Sequence, residues 1–156
     1  MNTEKHKSAV KALAWSTAKR NVFVSGGGKD DRRLYVWDIN NSQSINSLHL
    51  RSQICNIDYT CDGYLAVSCG QVNSTDEENS GYDDVYLIDP KQMKVLAQFE
   101  GHFDRVVYSA MNRDRTILYT ASGDETVRTW DVRNKITQPK RSLLQQNQDK
   151  LSVSLR

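Results

Sequence analysis

Residues 101–131 read GHFDRVVYSAMNRDRTILYTASGDETVRTWD. After a Gly-His pair, an alternating stretch begins at Val106, a polar turn follows, then an apolar stretch, a turn holding Gly123, and VRTWD to close. Alternation with a period of two is the mark of half-buried strands, and the polar, glycine-bearing segments between them mark turns. The same order recurs twice upstream. The opening strands are VKALAW from Val10, ICNIDY from Ile54 and VVYSAM from Val106, and the closing strands are LYVWD, VYLID and VRTWD. Trp37, Ile88 and Trp130 occupy one position in the three copies.

The copies begin 44 and 52 residues apart, against roughly 40–45 for a four-stranded propeller blade of the WD type. The expected fold is therefore all-β, a partial WD-repeat β-propeller of three four-stranded blades over residues 1–133, divided at about 6–43, 44–94 and 95–133. The middle copy is the longest, and its excess falls in VNSTDEENSGY, residues 72–82. That segment is too polar and acidic to bury apolar surface and reads as a mobile surface loop. In the first copy the extra residues are Gly26, Gly27 and Gly28. A phosphate-cradling loop would need Ser or Thr after the Lys and a helix beyond it. Asp30 follows Lys29 and an alternating strand comes next. The glycines thus read as an enlarged turn between the middle strands of a blade, where residues other than glycine avoid the backbone angles. Three blades do not close a ring, since propellers need about four to eight. The chain is expected to be the C-terminal part of a longer protein, or to need a partner over its open faces.

Composition narrows the function. A net charge of +2 in 156 residues is no electrostatic footprint for nucleic acid. No apolar run approaches a membrane span and the N-terminus lacks a signal-peptide core, so an intracellular soluble protein is expected. Cys55, Cys61 and Cys69 are odd in number and lack paired spacing, which supports neither a disulfide framework nor a zinc site. Asn40 and Asn73 begin sequons that have no access to glycosylation in such a compartment. No metal or cofactor is expected.

His102, Ser122 and Asp124 have the residue types of a hydrolase triad. Ser122 nevertheless lies in TASGDE, with no G-x-S-x-G elbow, and the order fits a blade in which His, a hydroxyl or Asp, and the Trp indole form a hydrogen-bonded ladder. His102, Ser122, Asp124 and Trp130 are therefore assigned structural roles, as are His6, Asp31 and Trp37 in the first copy. The second copy has Ile88 and no aligned His, so its blade is expected to rely on packing.

Taken together, HKSAVKALAW, SGGGKDDRRLYVWD, SQICNIDYT, GHFDRVVYSA and SGDETVRTWD resemble the Fizzy and Fizzy-related family, the coactivators of the anaphase-promoting complex. The resemblance covers about residues 6–133. It implies the last three blades of a seven-bladed propeller and an adaptor with no catalytic activity, found in nucleus and cytoplasm. Such an adaptor brings cell-cycle substrates bearing Lys-Glu-Asn or Arg-x-x-Leu signals to the ubiquitin ligase. Gln53 and Arg105 match positions that the family uses on its upper face to hold the Lys-Glu-Asn signal. Lys29 stands where the family more often has a small hydroxyl residue, and a cation there opposes a signal that contains Lys. Glu125 matches the last-blade acid that holds the Arg of the destruction box, whose other half belongs to the first blade.

Residues 134–156 carry Lys135, Lys140, Arg141, Lys150 and Arg156 against Asp149 alone, a basic tail expected to be mostly disordered. The family ends in Ile-Arg, held by a helical-repeat subunit of the ligase, so the resemblance implies ligase docking through Leu155 and Arg156. Two alternatives stand beside this reading: a generic WD-repeat interaction scaffold, and a truncated coactivator that competes for ligase docking.

Overall fold

The computed structural model describes residues 6–70, 85–133 and the short strand Ser152–Ser154. Among these residues there is no helix, and the strands form three antiparallel sheets of four. The first sheet is β1 (Val10–Trp15), β2 (Val22–Gly27), β3 (Arg33–Asp38) and β4 (Gln43–His49), in that spatial order. The second is β5 (Gln53–Tyr59), β6 (Leu65–Gly70), β7 (Val85–Asp89) and β8 (Lys94–Phe99). The third is β9 (Val106–Met111), β10 (Ile117–Ser122) and β11 (Thr126–Asp131), with β12 (Ser152–Ser154) on its outer edge.

Local chemistry explains the turns. Asn21, Arg32, Ser42, Gly63, Met93, Arg115 and Glu125 each have φ between 50° and 79°. One residue in the left-handed region is how a short hairpin loop matches the twist of its strands. The Asp that closes each repeat is also explained. Asp38, Asp89 and Asp131 each accept, through Oδ1, the amide of the residue two places on, at 2.9, 2.7 and 3.0 Å. A carboxylate folded onto its own backbone in this way ends the strand and starts the turn.

Two seams hold the sheets together. The first packs Val24, Leu34 and Val36 against Ile54, Ile57, Leu65, Val67 and Ile88. The second packs Ala66, Val85, Leu87 and Phe99 against Leu118, Trp130 and Val132. β5 lies beside β1 on one side and β9 on the other, so the opening strands adjoin and the sheets radiate from them as propeller blades. Removing the side chain of fully buried Ile88 costs about 2–5 kcal/mol.

Three features differ from the sequence expectation. The hydrogen-bonded sheets are offset from the sequence repeat by one strand, because β4 pairs with β3 and β8 with β7, within the sheet just completed. The glycine run is not there for its backbone angles: none of Gly26, Gly27 and Gly28 has positive φ, and Gly26 and Gly27 belong to β2. Space is what they supply, since a Cβ on Gly26 would lie 2.3 Å from Ile54 Cγ2 and one on Gly27 would lie 2.1 Å from Asp31 Oδ2. Third, the C-terminal segment is not wholly without structure, because Ser152–Ser154 pairs antiparallel with Thr126–Arg128. The acidic loop 72–82, residues 134–151 and the terminal Leu155 and Arg156 lie outside the described residues.

Candidate functional site

The polar groups inside the blades resolve first. In the third sheet the Trp130 indole Nε1 donates to Thr120 Oγ1 at 2.8 Å, the Thr120 hydroxyl bonds His102 Nε2 at 2.7 Å, and His102 Nδ1 bonds Asp124 Oδ2 at 2.9 Å. Every group is satisfied when protons run one way along the chain, with a neutral imidazole protonated at Nδ1. Burial pushes the His102 imidazole below its ordinary value, against the opposing pull of Asp124. For Asp124 burial acts upward, yet hydrogen bonds from the Thr126 hydroxyl, the Phe103 amide and His102 outweigh it and hold the carboxyl well below the usual carboxylate range. The first sheet repeats the arrangement: Trp37 Nε1 donates to Ser25 Oγ at 2.7 Å, Ser25 bonds His6 Nε2 at 2.6 Å, and His6 Nδ1 bonds Asp31.

Ser122 is not part of this ladder. Its hydroxyl donates to the Asp104 carbonyl at 2.7 Å and accepts the Asp124 amide at 3.2 Å. Trp130 stands opposite Leu118, so a hydroxyl two residues along the strand is within reach, whereas Ser122 is four residues along, roughly 13 Å away. The same register identifies Ser25 beside Phe23, which pairs with Trp37. In the second sheet Ile88 pairs with Leu65, and the hydroxyl position falls on fully buried Val67. Where the indole is lost, the hydroxyl that received it is lost as well.

The groups matched to signal recognition lie on one edge of the sheets. Val10 pairs with Gly27, Gln53 with Gly70 and Val106 with Ser122, so each opening strand starts where its neighbour ends. That edge presents the turns after β2 and β10, which hold exposed Lys29 and exposed Glu125, together with Gln53 and exposed Arg105. Gln53 and Arg105 both lie beside Gly70: a Cβ there would lie 2.8 Å from Cys55 Sγ, 3.2 Å from Arg105 Cβ and 3.5 Å from Gln53 Nε2. The Cys55 thiol leaves room at that position for a hydrogen and not for a methyl group. The Arg105 carbonyl accepts the Gly123 amide at 3.1 Å, which ties Arg105 to the turn that carries Glu125. Glu125 itself has φ 63°.

Phe103 on the same edge was not signalled by any motif beyond its place after Gly-His. It is 88% exposed, with the Arg128 guanidinium 5.7 Å from its ring centre and its amide bonded to Asp124. The edge therefore offers a guanidinium, an amide, a carboxylate and an aromatic face, the groups that suit a short charged peptide. Among the described residues no cluster of His, Cys, Asp and Glu is arranged to hold a metal ion.

Comparison with known proteins agrees with this architecture. Residues 1–38 and 93–131 match the family described as WD domain, G-beta repeat. The APC/C activator protein CDH1 of Saccharomyces cerevisiae is 36% identical over 132 residues, 85% of this chain and 22% of that protein. Protein FIZZY-RELATED 3 of Arabidopsis thaliana is 33% identical over 81% of this chain and 25% of its own length. Meiotic fizzy-related protein 1 of Schizosaccharomyces pombe is 32% identical over 85% and 30% respectively. A chain in the crystal structure of the mitotic checkpoint complex superposes with a TM-score of 0.72 at 25% identity, over 81% of this chain and 38% of that one. The chain thus spans between 22% and 30% of the length of these curated relatives. Repeat, fold and similarity converge: this chain is a WD-repeat relative of Cdh1 and the Fizzy-related proteins and belongs with them in one family.

Proposed function

We propose that this chain is the substrate-recognition part of an activator of the anaphase-promoting complex, an adaptor rather than an enzyme. The observation that carries the reading is the placement of Gln53 and Arg105 beside Gly70 on an edge that also holds Glu125. Arg105 would pair with the Glu of a Lys-Glu-Asn signal through two parallel bonds, while the Gln53 amide bonds a polar neighbour. Each contact is exposed and weak, so affinity for substrate rests on their sum and on tethering by Leu155 and Arg156 to a helical-repeat subunit of the ligase, which raises effective concentration. His102 and Asp124 are not offered as catalysts, because each is already bonded within the ladder.

Fluorescence anisotropy with a labelled Lys-Glu-Asn peptide tests the site on the full chain. Arg105→Ala should weaken binding about tenfold or more, as loss of a charge-assisted bond implies, and Lys29→Ser should tighten it. Equal affinity for wild type and Arg105→Ala would sink the assignment. Deleting Leu155 and Arg156 should reduce ligase capture and leave peptide binding unchanged. In a second reading the chain competes for ligase docking, with exposed Glu125 offering one carboxylate to the Arg of an Arg-x-x-Leu signal. Micromolar binding of an Arg-x-x-Leu peptide to this chain would count against it.

A further inference from the structure

Phe103 is 88% exposed on the recognition edge, above the seam between the second and third sheets, whereas Leu50 on the same edge is buried. A single exposed apolar residue needs no explanation of its own. The chain around Phe103, however, is fixed residue by residue. The Asp124 carboxylate bonds the His102 imidazole and accepts the Phe103 amide at 3.0 Å. The Asp104 carbonyl accepts the Ser122 hydroxyl at 2.7 Å, and the Arg105 carbonyl accepts the Gly123 amide at 3.1 Å. Every residue from His102 to Arg105 is thus bonded to the turn at 122–124. Gly123 lets the two segments lie close, since a Cβ there would sit 2.6 Å from Asp104 Oδ2. The ring is backed from one side by Arg128, whose guanidinium carbon lies 5.7 Å from its centre. Arg128 reaches that place past Gly101, where a Cβ would lie 2.6 Å from Arg128 Nη1. Among the described residues no carboxylate pairs with Arg128, and its Nε is buried without a hydrogen-bond partner.

We infer that Phe103 is a specificity-determining residue of this edge, and that with Arg128 behind it the ring forms a subsite for an apolar side chain of the substrate, next to the charged signal. The inference rests on the reading that Arg105 and Gln53 hold that signal. Phe103 precedes Arg105 by two residues, at most about 7 Å of backbone. An extended peptide covers that distance in two of its own residues. The subsite therefore meets the residue two places from the Glu that Arg105 holds, which is the one just before the Lys or just after the Asn. An apolar side chain suits the place because contact with the ring removes both surfaces from water. The bonded backbone gives up little freedom when the contact forms, so more of that gain appears as affinity. A Lys or Arg at the same substrate position would meet the unpaired Arg128 guanidinium and be disfavoured.

The test compares two labelled peptides on the full 156-residue chain by fluorescence anisotropy. Both contain Lys-Glu-Asn; one has Ser on each side of it, the other has Phe directly before the Lys and directly after the Asn. The wild type should bind the Phe-flanked peptide about five- to tenfold more tightly, as burial of part of an aromatic side chain implies. Phe103→Ala should bring that ratio to about one, and Phe103→Tyr should keep it. A wild type that does not distinguish the peptides would overturn the subsite. So would a Phe103→Ala variant that keeps the ratio, including one that weakens both peptides equally, because its role would then be structural. Binding of neither peptide by the wild type would overturn the subsite together with the recognition reading. A preference that depends on Phe103 but is accompanied by no effect of Arg105→Ala on either peptide would sink the Arg105 assignment and uphold the apolar subsite.

Discussion

At the residue scale the ladders explain why a hydroxyl, an imidazole and an indole recur in two of three repeats. Thr120→Val keeps the shape but leaves the Trp130 indole N–H and His102 Nε2 buried without partners. Each orphan costs about 1–3 kcal/mol, so urea unfolding should show a loss of about 2–6 kcal/mol. Ser122→Ala should cost about 1 kcal/mol, and a larger loss than Thr120→Val would contradict the ladder. The pH dependence follows from the same groups. His102 is held below its ordinary value of 6.5, so the unfolded chain takes up a proton that the folded ladder refuses. Stability is therefore lost as pH falls below about 6.5. Asp124 is held low, so its share is present above about pH 4 and lost below it. Half-buried Asp58, whose carboxyl is raised by that burial, acts in the opposite sense in the acid range. His49 is also held below its ordinary value, by burial and by the Arg32 and Arg33 charges, and acts in the same sense, so the urea midpoint should fall between pH 7.5 and 5.5. His102, Asp124 and Trp130 were readable from spacing alone. Thr120 and Ser25 were not, because which hydroxyl meets the indole depends on cross-strand register.

At the scale of the element, the second sheet shows what replaces a ladder. Ile88 and Val67 are both fully buried and stand where the other sheets carry indole and hydroxyl. Ile88→Trp should destabilise by overpacking and by an unpaired indole N–H, together about 2–5 kcal/mol. Adding Val67→Ser gives that N–H an acceptor and removes volume, so the double variant should recover at least about 1 kcal/mol in a double-mutant cycle. Strict additivity would show that the two positions do not meet. The sequence pattern revealed the strands and their Trp-Asp endings because alternation and turn residues are local signals. It placed the blade boundaries one strand early, since the partner of β4 is chosen by hydrogen bonding with β3. It also could not foresee that Ser152–Ser154 would pair with β11 across a long connection.

At the scale of the whole molecule, the two seams bury both faces of the second sheet, whereas the first and third sheets each bury one, so Leu13, Trp15 and Tyr108 stay exposed. The repeated strand order in the chain was enough to establish an all-β propeller architecture of three blades, because periodicity, turns and Trp-Asp endings are encoded within a few residues, while the family resemblance rested on motifs such as HKSAVKALAW and SGGGKDDRRLYVWD. The identity of the ladder hydroxyls, the reason for Gly26, Gly27 and Gly70, and the placing of Gln53 and Arg105 beside Gly70 arose from tertiary packing. These depend on sheet register and on which atoms approach across a seam, and residues separated by about 50 positions in the chain leave no local trace of that approach.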